Sequence, residues 1–157
     1  MASGSPFHVS KRSVFISLGL REANRIADAA IHEAETRGIA VSISLCDPRG
    51  RLISHQRMDN VPPEASRGSI GKAIAAVGLG HGTGTSPIEL TEYGQVGEVL
   101  AEGVPVVNRK GGLPIFRMED LVGAIGVSGA PENELDEQCA RAAILAVKLS
   151  PNRSKSS

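Results

Sequence analysis

The chain has 157 residues, 17 basic against 17 acidic, and its aromatics amount to one tyrosine, three phenylalanines and no tryptophan. A chain of this length suits one domain, which buries roughly two-thirds of the surface its unfolded form exposes and folds without disulfides or metal. Balanced charge, a basic cluster only in the C-terminal tail, and too few aromatics to stack bases argue against a nucleic-acid partner. The apolar stretches fall well short of the roughly 20 residues a membrane helix needs, so a soluble, membrane-free protein is expected.

Residues 1–16 carry serine, glycine and proline without the apolar core of a secretory signal, and read as a flexible arm; a cytoplasmic location is the default. Cys46 and Cys139 have no partner at metal-binding spacing and read as buried free thiols.

From Ser17 the spacing of Ala23, Ile26, Ala27, Ala30, Ile31 and Ala34 predicts a first helix that stops at Gly38. Residues 39–46 then alternate Ile39, Val41, Ile43 and Leu45 with Ala40, Ser42, Ser44 and Cys46. That is a strand with one aliphatic face and one face of small residues, suited to close packing by a helix or a second subunit. Asp47-Pro48-Arg49-Gly50 has turn chemistry and predicts a hairpin into a second strand over 51–58.

Pro62 and Pro63 end that strand, and Ile70, Ala73, Ile74 and Val77 mark a second helix, followed by a glycine-alternating loop over 78–85. Ser86-Pro87-Ile88-Glu89 has the order of a capping box, so a short third helix is expected there. Residues 104–107, 113–116 and 121–127 read as three further strands. A final helix follows Pro131, with Glu132, Glu134, Asp136 and Glu137 at its start and an apolar stripe through Leu135, Cys139, Ala142, Ala143, Ala146 and Leu149. The expected architecture is therefore α/β (α+β): a five-stranded, largely antiparallel sheet covered by helices, in one domain over 17–150, with a flexible tail over 151–157.

Several of these segments together resemble a known family. They are Asp47 with Gly50, Arg57-Met58-Asp59, Lys72-Ala73, Gly111-Gly112-Leu113-Pro114, Gly123-Ala124-Ile125-Gly126-Val127-Ser128-Gly129 and Asp136-Glu137. In this order the chain resembles the GlcG/HbpS family from about Leu18 to Leu149. The resemblance implies a three-layer domain that forms homo-oligomers, in a family associated with haem binding, haem degradation or redox sensing, with related domains attached to corrinoid enzymes. The loop over 78–85 departs from the aromatic-containing segment associated with that part of the family pattern, which leaves room for a changed ligand.

The candidate chemistry is that of a small anionic ligand. Arg57 offers a planar fork for a carboxylate, with Asp59 to orient it or, alternatively, a structural turn contact. Lys72 offers a point charge or, if desolvated, a base or amine nucleophile; the alternative is a solvated lysine. Gly111 and Gly112 suit a turn that exposes backbone N–H groups, or a plain hairpin. Ser128 is the one polar candidate at the end of the glycine-rich strand.

For haem, the suspected cofactor, the histidines are His8, His32, His55 and His81, of which His55 shares a strand face with Arg57 and His81 is the most accessible. In an alternative reading as an isomerase, lyase or cyclase, Lys72, His55 or Glu137 moves protons on a carboxylated metabolite. A third reading is a structural oligomeric module. No metal site is expected. One shared pocket formed by Arg57, Asp59, Lys72, Gly111 and Gly112 is the specific geometric expectation.

Overall fold

The computed structural model describes residues 16–85 and 106–154. Its elements are α1 (Leu20–Thr36), β1 (Ser42–Cys46), β2 (Leu52–Arg57), α2 (Pro63–Leu79), β3 (Gly112–Arg117), β4 (Asp120–Ser128) and α3 (Asn133–Ala146). The four strands form one sheet in the order β2-β1-β4-β3, every neighbouring pair antiparallel.

The sheet is sandwiched because β1 and β4 are apolar or small on both faces. Ile43, Leu45, Ile125, Val127, Leu113 and Ile115 point to one side, where Ala23, Ile26, Ala27 and Ala30 of α1 and Cys139, Ala143 and Ile144 of α3 complete the main core. On the other side Cys46 and Ala124 pack against Ala73 and Ala76 of α2. Among the described residues the result is three layers, two helices over one face and one over the other, with an aliphatic core that matches the scarcity of aromatics.

The small-residue face of β1 receives α2, and the approach is very close. Across the sheet, His55, Ser44, Gly126 and Gly112 lie in one row. A Cβ on Gly126 would stand 1.9 Å from the Ser69 carbonyl oxygen of α2. Only glycine lets the helix backbone rest on the strand at that point. The hairpin between β1 and β2 forms as its sequence dictates: Asp47 Oδ1 accepts the N–H groups of Arg49 at 2.8 Å and Arg51 at 3.0 Å, and its carbonyl accepts that of Gly50 at 2.9 Å.

The sheet has four strands among the described residues, not the expected five. Val106 and Val107, in the segment read as a strand over 104–107, are irregular backbone. The Val107 N–H donates to the carbonyl of Gly71 on α2 at 3.1 Å, and Val106 packs against Ile74 and Ala75 of that helix, so the pair rests on a helix and joins no strand among the described residues. The helix expected at Ser86 lies outside the described residues. Cys46 and Cys139 are free and buried. No helix among the described residues is long and apolar enough to cross a membrane.

Candidate functional site

The N-terminal half of α2, the segment leading into β3 and the turn after β4 enclose a cleft of about 750 Å³. Its walls are apolar where Pro62, Ala65, Val106 and Val107 face it. Two exposed guanidinium groups, Arg67 from α2 and Arg109 from the loop before β3, also line it, together with the carboxylate of Glu64. Among the described residues neither arginine has a carboxylate partner.

Lys72 and Ser128 belong to the same cleft, deeper down. Ser128 ends β4 directly beneath Gly68, where an added Cβ would come within 2.6 Å of its Oγ. Lys72 is only 2% exposed, and its ammonium donates to the Val127 carbonyl at 3.0 Å, Asp136 Oδ2 at 3.1 Å and, more weakly, Asn133 Oδ1 at 3.5 Å. Three N–H donors thus meet three protein acceptors. Burial pushes the Lys72 amine below its ordinary range, an effect that the Asp136 carboxylate partly offsets. Burial likewise raises the Asp136 carboxyl against the opposing pull of Lys72 and of the Ala130 N–H, which Asp136 Oδ1 accepts at 3.0 Å. Asp136 is therefore a helix-start acid, as its place in the sequence implied, and also the buried partner of Lys72.

The glycine turn meets Lys72 as expected, but its Gly112 donor is spoken for. A Cβ on Gly111, whose φ is +130°, would lie 2.8 Å from Lys72 Nζ and 2.4 Å from the Val127 carbonyl oxygen. The Gly112 N–H donates to Thr83 Oγ1 at 2.9 Å, and the Thr83 N–H donates to the Gly112 carbonyl at 2.9 Å. The fully buried Thr83 hydroxyl also donates to the carbonyl of Arg109, which ties the loop after α2 to the arginine-bearing wall of the cleft.

Arg57 and Asp59 are not in the cleft lining. Arg57, exposed at the end of edge strand β2, donates to the Val61 carbonyl at 2.7 Å and so braces the turn that leads into α2. Asp59 is exposed in that turn. Of the five residues expected to share one pocket, Lys72, Gly111 and Gly112 meet, and the exposed cations that line the cleft are Arg67 and Arg109.

His55 lies under the other flank of α2, inside a closed ring of hydroxyls. Its Nδ1 is 2.8 Å from Ser44 Oγ, which is 2.8 Å from Ser69 Oγ. Ser69 donates to Ser42 at 3.3 Å, Ser42 to Ser66 at 3.4 Å, and Ser66 Oγ returns to His55 Nε2 at 3.0 Å. A neutral imidazole brings one donor and one acceptor, and the single Ser69 hydroxyl proton is shared between Ser42 Oγ and the Ser66 carbonyl, 3.0 Å away. Burial, reinforced by the charge of Arg57, holds the His55 pKa below its ordinary value of 6.5 and favours that neutral form.

The remaining candidates sit apart. His81 is exposed in the loop after α2, its Nδ1 2.9 Å from the Gly82 carbonyl oxygen. His32 is exposed on α1, in the opposite layer. Glu137, half-buried on α3, lies 3.6 Å from Arg141 one turn on.

Arg67, Arg109 and Thr83 were not singled out in the sequence. Arg67 adjoins Gly68, which stands four residues before Lys72 and hence on the same helix face, and Arg109 sits two residues before the Gly111-Gly112 turn. Those neighbours were the available signals. Thr83 had a weaker one, as a lone hydroxyl between glycines just past a helix end.

The family model described as haem degrading protein HbpS-like matches residues 18–145. Protein GlcG of Escherichia coli strain K12 is 32% identical over 113 residues, covering 72% of this chain and 82% of that protein. The crystal structure of a double mutant of Streptomyces reticuli HbpS is 30% identical with a TM-score of 0.70, covering 94% of each chain. The crystal structure of a PduOC:heme complex superposes with a TM-score of 0.73 over 88% of this chain and 100% of that one; at 24% identity this likeness speaks for the fold. With the matched segment spanning α1 through most of α3, the chain belongs to the HbpS-like family.

Proposed function

We propose that this protein binds a small anionic, partly apolar ligand in the cleft of α2, and that haem is such a ligand. The observation that carries this reading is the pair of exposed guanidinium groups, Arg67 and Arg109, on a cleft that also presents the apolar surface of Pro62, Ala65, Val106 and Val107. Its volume of about 750 Å³ falls within the roughly 300–1,000 Å³ usual for small-molecule sites. A carboxylate gains charge-assisted hydrogen bonds from a guanidinium, and a macrocycle gains by burying apolar surface against valine, alanine and proline. The relatives named for haem make that ligand the first to try.

Haem fits the cleft at its carboxylate-bearing edge. Iron ligation fits the described residues less well: His55 has both ring nitrogens engaged by serines, and His81 and His32 do not line the cleft. The reading as an isomerase, lyase or cyclase draws less support, since Lys72 is held by three acceptors while His55 and Glu137 lie away from the cleft. A cytoplasmic homo-oligomer remains part of the proposal, to be checked by light scattering and cell fractionation. Titration of the full chain with haemin tests the reading: a saturable absorbance change at one haemin per chain is expected, and purely linear, non-saturable absorbance would refute it.

A further inference from the structure

We infer that the cleft recognises a porphyrin by its carboxylates and apolar faces and not by its metal, so that a metal-free dicarboxylic porphyrin is bound as well as haem. This rests on the proposed reading and narrows it to a ligand class: planar, apolar-faced dicarboxylates, with or without a central ion.

The cleft's contributions are of two kinds. Arg67 and Arg109 supply two guanidinium groups from two different elements, which matches two carboxylates better than one. Ala65, Val106 and Val107 supply apolar surface that is indifferent to what occupies the centre of a ring.

Among the described residues, the nitrogen ligands usual for haem iron are directed elsewhere. Using His55 would break the five-membered ring that joins β1 and β2 to α2, leaving Ser44 or Ser66 without its partner in a half-buried site. His81 is turned toward its own loop, with Nδ1 against the Gly82 carbonyl and 3.4 Å from Thr85 Oγ1. The Lys72 amine, a nitrogen base deep in the cleft, is committed to Val127 and Asp136. Binding energy on this arrangement comes from the periphery of the ligand.

The test compares three probes on the full-length chain under one set of conditions: haemin, protoporphyrin IX, and protoporphyrin IX dimethyl ester. Haemin and protoporphyrin IX are expected to bind with dissociation constants within about threefold of each other, and the ester at least about tenfold more weakly, tenfold being about 1.4 kcal/mol. The haemin absorption band should be unmoved by His81→Ala. Haemin binding more than about tenfold tighter than the free porphyrin, a band shifted by His81→Ala, or an ester that binds as well as the acid, would each overturn the inference while leaving ligand binding itself intact. Failure of both acids to bind would overturn the proposed function together with it.

Discussion

Lys72 and Asp136 stand 64 positions apart in sequence, yet their side chains meet at 3.1 Å with 2% and 1% of their surfaces exposed. The contact ties α2 to the first turn of α3 through the end of β4, because Lys72 also holds the Val127 carbonyl and Asp136 also holds the Ala130 N–H. Burial works against both charges, so the pair fixes where the helices sit more than it adds to stability. Removing one partner strands the other: Lys72→Met and Asp136→Leu are each expected to destabilise by about 3–5 kcal/mol, and the double variant by no more than the worse single one. A double-mutant cycle by urea denaturation checks this, and additive losses would contradict it.

The serine ring around His55 has a pH signature. With its folded pKa below the ordinary 6.5, the unfolded chain binds more protons in the interval between the two values. Stability from this site is therefore fully present above pH 6.5 and is lost as pH falls through the folded pKa. Asp136, whose folded pKa is raised, has the opposite linkage in the acid range, so the His55 contribution is read as a difference. The denaturation midpoint of the parent protein should fall more steeply than that of His55→Gln as pH goes from 7.5 to 5. Parallel curves would show that His55 does not titrate abnormally.

Gly126→Ala should be among the most damaging single-methyl additions. Its Cβ would stand 1.9 Å from the Ser69 carbonyl oxygen and 2.7 Å from the Ala73 nitrogen, both backbone atoms of α2 with no side-chain freedom to yield. A loss of about 3 kcal/mol or more is expected, at the upper end of overpacking penalties. Unchanged melting would mean that α2 rides higher on the sheet.

Thr83→Val removes the hydroxyl that donates to the Arg109 carbonyl and accepts the Gly112 N–H, and leaves that N–H buried without a partner. The expected cost is about 1–3 kcal/mol, with Thr83→Ser close to the parent. Equal losses in both variants would assign the effect to packing and not to the hydroxyl.

Much of the fold was legible because its signals are local. The period of Ala23, Ile26, Ala27 and Ala30 gives α1, and the alternation of Ile43 and Leu45 with Ser42 and Ser44 gives a strand covered on both faces. Asp47 and Gly50 carry the turn. Val106 and Val107 misled because a short apolar pair packs equally well against a helix, and local sequence does not distinguish the two.

The site was legible only in part for a related reason. Lys72 and Gly111-Gly112 stand out as motifs, whereas Arg67 and Arg109 gain meaning only when the chain brings α2 beside the loop before β3. Arg57, equally conspicuous in sequence, turns instead to the Val61 carbonyl next to it.

The central claim is that the cleft binds an anionic ligand through its two arginines, and the most direct measurement is a haemin titration of the Arg67→Ala/Arg109→Ala double variant beside the parent. Both side chains are exposed and without carboxylate partners among the described residues, so the variant should melt like the parent. With the charged hydrogen bonds gone, its affinity should drop by at least about tenfold, as expected for losing contacts worth about 1.5–3 kcal/mol each. Parent-like haemin affinity in a folded double variant would contradict the account.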